Sequence, residues 1–192
     1  MESSAFVLVG FFGLVIYSLA EPLMRRGRAR SMQRGPFDRG STTLVSSLAV
    51  LIIAGSIASH VAWTPGVSRL PTWVCVGFLL AFAFATMPRF WSMSVLGEFF
   101  TRTLGVSAEQ VVVRSGPYRW IRHPGYLAQI LAVSAFAALL SQSWWGPLIA
   151  WPALWAAYVY RIGAEEEMLA SALGSAYREY QTRTWRLLPG LY

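Results

Sequence analysis

Residues 114–141 read RSGPYRWIRHPGYLAQILAVSAFAALLS. Three arginines, a histidine and two prolines are followed at once by an apolar run with no charged residue. Pro124 fits the first position of a helix, where its missing N–H costs nothing. The run after it then forms one apolar helix. A charge at the centre of a bilayer costs about 2.5–3.5 kcal/mol and far less at the rim. The basic part of this stretch therefore belongs at a membrane surface and the apolar part inside the membrane.

The same alternation recurs through the chain. Of its 192 residues, 55% are hydrophobic and only 13% are charged, and the mean hydropathy is +0.46. So much apolar surface at this length predicts an integral membrane protein. Five spans are expected: 4–24, 43–63, 72–87, 123–141 and 145–160. Only a few residues join the last two, which predicts a tight helical hairpin. Pro147 suits the start of the fifth span, whereas Pro152 predicts a kink. The first span is followed by Arg25, Arg26, Arg28 and Arg30 rather than by a small-residue cleavage site, so it reads as a retained helix.

All sixteen basic residues are Arg, and the net charge is +7. Six lie in 24–41, five in 89–122, four from Arg161 onward, and Arg69 stands alone. This distribution follows loops between spans, not a basic face with interleaved aromatics, so it points away from nucleic acid and toward membrane lipids. Positive charge marks the inner side. The N-terminus is then expected outside, with the C-terminus and the polar segments cytoplasmic, in the cell inner membrane. Cys75 cannot make an internal disulfide, and two histidines with one cysteine give no metal constellation.

Chemically capable residues concentrate in the second half. Residues 1–87 read as transmembrane scaffold and 88–192 as the working part of a single domain. In the tail, Leu169, Leu173, Ala176, Tyr177 and Tyr180 recur at helical spacing, predicting a C-terminal amphipathic helix. Gln110 to Val113 form a short β-branched run that reads as extended. His123 precedes the α-helical start at Pro124, where free backbone N–H groups suit an anionic partner. If the hairpin is antiparallel, His123 and Arg161 lie at the same end, and the carboxylates Glu165 and Glu166 join the Arg/His/Tyr cluster there.

With those residues in place, the chain resembles the isoprenylcysteine carboxyl methyltransferase family, whose wider group includes phospholipid N-methyltransferases. The resemblance rests on G-x-Y-x-x-x-R-H-P-x-Y, here Gly116 to Tyr126, and R-x-x-x-E-E-x-x-L, here Arg161 to Leu169. It covers roughly 95–192. It implies an all-α polytopic membrane fold and S-adenosylmethionine as cofactor. It further implies that Gln110, Val111, Val112, Val113, Tyr118, His123, Pro124, Gly125, Tyr126 and Glu165 bind the cofactor, and that Arg161 binds a lipophilic or lipidated acceptor drawn from the bilayer. The chain departs from the family pattern at Ala128, where glycine is frequent, and at Trp185, where proline is common.

A carboxylate acceptor is already ionised at neutral pH and needs no general base; Arg161 is then the catalytic and substrate-binding group. An amine acceptor needs proton removal, for which Glu166 or His123 are candidates. Isoprenylcysteine-type O-methylation is the expected activity. Lipid-amine N-methylation, an NADPH-dependent sterol-reductase-like reaction and a non-catalytic scaffold are the competing readings. No G-x-G-x-x-G follows a strand, which argues against a soluble Rossmann-type enzyme.

Overall fold

The computed structural model describes residues 2–24, 35–62, 69–101, 103–106 and 109–192. The arginine-rich 25–34 and Arg102 lie outside the described residues. Among the described residues, six α-helices account for the fold: α1 (Glu2–Met24), α2 (Ser41–Val61), α3 (Thr72–Leu96), α4 (Pro124–Ser141), α5 (Trp145–Leu173) and α6 (Ser175–Arg183). Among the described residues there is no strand, only an isolated parallel bridge between Ile121 and Trp185. The molecule is all-α, as the hydropathy pattern predicts. In lipid, a helix satisfies its own backbone polar groups, and that requirement selects this class.

Among the described residues, four segments are long and apolar enough to cross a membrane: Ala5–Leu23, Ser41–Val61, Thr72–Phe99 and Pro124–Ser141. The fifth expected span is the apolar first half of α5, residues 145–160, which carries no charged residue. Its second half leaves that apolar layer without a break, carrying Arg161, Glu165, Glu166 and Glu167 on one continuous helix. Gly163 does not interrupt it, and Pro152 lies inside it.

Helix α4 is the buried centre. Its residues from Ile130 to Ser141 are nearly all buried, and it touches α1, α2, α3 and α5. Ile130, Val133 and Ala137 meet Ala150, Leu154 and Tyr158 of α5. The α4–α5 turn is tight because Gly146 lets the chains meet: a Cβ there would lie 2.4 Å from the Ala137 carbonyl oxygen and 2.6 Å from Ser141 Oγ. At this same end the Leu70 N–H donates to the Gln142 carbonyl, fixing the entry of α3 beside the exit of α4. Hence the end of α1, the starts of α2 and α4, and the ends of α3 and α5 share the opposite end of the bundle.

Two boundaries differ from expectation. Helix α3 runs past Pro88 to Leu96, so Arg89 lies within the helix and buried rather than in a loop. Its charge is compensated by Glu21 of α1, with Arg89 Nη2 3.4 Å from Glu21 Oε1. The amphipathic tail is two helices, because Gly174 adopts φ +59 between α5 and α6, a left-handed conformation glycine accepts without a Cβ clash. The turn still buries Tyr177 and Tyr180 of the expected stripe.

Candidate active site

The start of α4 and the charged half of α5 meet. Tyr126, in the first turn of α4, donates its hydroxyl to Glu165 Oε2 at 2.5 Å and accepts from Arg161 Nε at 2.9 Å. Its ring lies parallel to His123 at 5.4 Å between centroids. His123 Nδ1 is 3.6 Å from Glu165 Oε2, and Nε2 is 3.4 Å from Glu166 Oε1. Four expected site residues, His123, Tyr126, Arg161 and Glu165, thus form one connected set.

The two adjacent carboxylates stand in different surroundings. Glu166 is buried and receives Arg122 Nε at 2.6 Å, Arg186 Nε at 2.9 Å and Gln181 Nε2 at 3.3 Å. Burial opposes its charge, but His123 and Arg122 outweigh burial and hold its carboxyl down at about 2. Glu165 remains partly open, with 23% of its side chain exposed. On geometry, Glu166 ties parts of the chain together, whereas Glu165 retains a face toward solvent.

Gly125 is required by close approach at this point. A Cβ would lie 3.0 Å from Ser92 Oγ and 3.1 Å from Arg89 Nη1, which donates to the Gly125 carbonyl at 3.2 Å. Pro124 and Gly125 are buried. Tyr118 is buried as well; its hydroxyl reaches the Ser92 carbonyl at 3.4 Å, and its own carbonyl accepts from Tyr180 at 2.6 Å. Gln110, Val111, Val112 and Val113 have no regular secondary structure and lead to Arg114, which donates to the Ala176 carbonyl at 3.0 Å. Through that contact their C-terminal end is anchored on α6.

Two first-turn amides of α4, those of Tyr126 and Leu127, donate to the His123 carbonyl at 3.1 and 3.3 Å, and the amides just ahead of the helix are engaged by the tail. Arg122 N–H donates to the Trp185 carbonyl at 2.7 Å and His123 N–H to the Arg186 carbonyl at 3.0 Å, while Trp185 N–H donates to the Trp120 carbonyl at 3.0 Å. The tail lies along the approach to α4 as a short parallel pairing. Trp185 supplies an N–H that a proline at this position would lack.

Arg161 faces away from this tail. Its Nη1 donates to Thr42 Oγ1 at 2.9 Å and to Ser41 Oγ at 3.3 Å, and it lies 3.8 Å from Asp38 Oδ1. Beside it opens a cavity of about 300 Å³ between the helices. Thr42, Tyr126, Arg161, Glu21 and Arg89 line its polar part; Val45, Ile53, Phe136 and Leu154 are among its apolar walls. From Thr42 to Ile53 it follows α2 for about 16 Å at 1.5 Å per residue.

Residues Asp38, Ser41, Thr42, Glu21 and Arg89 were not expected at the site. Asp38 has a local signal, a short acidic side chain just before Ser41-Thr42 at a helix start. Glu21 has another, a single carboxylate at the end of an apolar run. Arg89 reads as a loop residue because Pro88 precedes it.

A profile of the isoprenylcysteine carboxyl methyltransferase family matches residues 76–171, from within α3 through nearly all of α5. The chain belongs to that family. A protein-S-isoprenylcysteine O-methyltransferase of Dictyostelium discoideum is 28% identical over 120 residues, covering 59% of this chain and 48% of that protein. The chain thus spans about half the length of the curated relative it matches. The family match takes in Arg89, Gly125, Tyr126, Arg161 and Glu165 but neither the α2 corner around Asp38 nor the tail from α6 onward.

Proposed function

We propose that this protein is a membrane methyltransferase using S-adenosylmethionine, acting on a lipophilic acceptor whose reactive group is a carboxylate. The observation that carries this reading is the connected chain His123–Glu165–Tyr126–Arg161, which joins the polar loop end of the bundle to the cavity between the helices. The family membership and the Dictyostelium relative's name support methyl transfer and an isoprenylcysteine-type acceptor.

The donor set fits the cofactor. Glu165 offers a partly open carboxylate for an ammonium or ribose hydroxyl, and the stacked His123 and Tyr126 rings lie beside it. Tyr118, Pro124, Gly125 and Gln110 to Val113 complete the proposed cofactor surface. When bound, the cofactor supplies a methyl group on a sulfonium, open to in-line displacement. Arg161 orients the acceptor carboxylate toward it, and Tyr126 fixes Arg161 through its hydroxyl. The apolar walls receive the lipid chain and exclude water. Catalysis is then alignment and desolvation, with no proton to remove. Glu166, engaged by Arg122, Arg186 and Gln181, holds the site together; in an amine acceptor His123 would be the group placed to take a proton.

The test is methylation of a lipid extract by the purified protein with labelled S-adenosylmethionine, followed by identification of the product. A methyl ester of a lipophilic acid is expected. An N-methylated lipid would replace the carboxylate reading, and NADPH binding in place of S-adenosylmethionine binding would overturn methyl transfer itself.

A further inference from the structure

The corner preceding α2 lies in the half of the chain that composition marks as scaffold, yet it reaches Arg161. Asp38 closes a one-turn 3-10 helix, Pro36–Asp38, and is 3% exposed. Its Oδ1 accepts from Thr42 Oγ1 at 2.5 Å, from Thr42 N–H at 3.3 Å and from Ser41 Oγ at 3.3 Å. Both hydroxyls, having given their protons to Asp38, present lone pairs to Arg161 Nη1. Hydroxyl groups donate once and accept twice, so the direction of both bonds is set by the carboxylate. Thr42 also lines the cavity.

We infer that Thr42 and Ser41, oriented by Asp38, are positioning residues that hold the Arg161 guanidinium toward the cavity and thereby set its preference for a carboxylate-bearing lipid. This rests on the proposed role of Arg161 as the acceptor-binding group. An arginine side chain is long and rotamer-rich, and a planar fork discriminates a carboxylate only when its orientation is fixed. Tyr126 fixes Nε from α4, and the two hydroxyls fix Nη1 from α2. Two elements thus converge on one side chain of a third.

The experiment compares binding of farnesoic acid and farnesol to the full protein in nanodiscs, without cofactor, at pH 7.5. The readout is the ratio of the two affinities, which loss of stability alone does not move. Thr42→Val keeps the shape but removes the hydroxyl; the acid-over-alcohol ratio is expected to fall about tenfold, the loss of one hydrogen bond to a charged group. Thr42→Ser should restore it. Ser41→Ala, a smaller change at a longer contact, should lower the ratio in the same direction and serves if Thr42→Val folds poorly. Arg161→Ala should collapse the ratio. If Arg161→Ala collapses it while Thr42→Val and Ser41→Ala leave it at the wild-type value, the corner is only a helix start and the inference is wrong, with the acceptor reading intact. If Arg161→Ala leaves the ratio unchanged, the acceptor role of Arg161 falls, and the positioning role with it.

Discussion

At the residue scale, two neighbouring glutamates have been given different work by their surroundings. Glu165 and Glu166 differ by one position on α5, a rotation of about 100° around the helix. One meets Tyr126 and solvent; the other is enclosed by Arg122, Gln181 and Arg186. Replacing Glu165 with alanine is expected to weaken S-adenosylmethionine binding about tenfold or more, by calorimetry, with little change in thermal stability. Replacing Arg161 with alanine should reduce methyl transfer to the acceptor far more than it reduces donor affinity, a separation visible when kcat and donor Kd are measured on the same preparation. Equal losses in both would place Arg161 on the cofactor instead.

At the scale of elements, two junctions can be traced to single residues. The α4–α5 turn depends on Gly146, whose position admits no side chain: Gly146→Ala pushes a methyl into the Ala137 carbonyl. A loss of about 1–3 kcal/mol is expected from such overpacking, read as a lower thermal midpoint in detergent. The tail depends on Glu166. Because the folded protein holds that carboxyl near 2, below its ordinary value near 4.5, the stabilisation it gives is complete above the ordinary value and is lost as pH falls toward 2. Protection of the 184–192 amides, measured by hydrogen exchange after a pH jump and corrected for intrinsic rate, should hold from pH 8 to about 5 and decline below about 4. Glu166→Gln should show the unprotected tail already at pH 7.

For the whole molecule, one end of the bundle gathers the chemistry. The end of α1, the start of α2, the end of α3, the start of α4 and the charged half of α5 all contribute to it, and the hairpin turn at Gly146 lies opposite. By the positive-inside rule, arginine placement leads us to propose that the chemical end is cytoplasmic. In a background with Cys75 replaced by alanine, a cysteine at Thr182 should react with a membrane-impermeant maleimide only in inverted vesicles, and a cysteine at Trp145 only in intact cells or right-side-out vesicles. The reverse pattern would invert the topology.

Hydropathy and arginine spacing were enough to read a helical membrane bundle, its closing hairpin and the meeting of His123 with Glu165, because each follows from local periodicity plus the cost of charge in lipid. The G-x-Y-x-x-x-R-H-P-x-Y and R-x-x-x-E-E-x-x-L elements added the family. Long-range choices were not local in the chain. Arg89 became a buried helical cation because Glu21, on another helix, compensates it. The Arg122 and His123 amides were paired because Trp185 and Arg186 return to them from the far end of the sequence. Asp38, Ser41 and Thr42 joined the site because α2 packs beside α5. Periodicity describes which face of a helix is apolar; only packing decides which polar groups of distant segments must satisfy one another once water is gone.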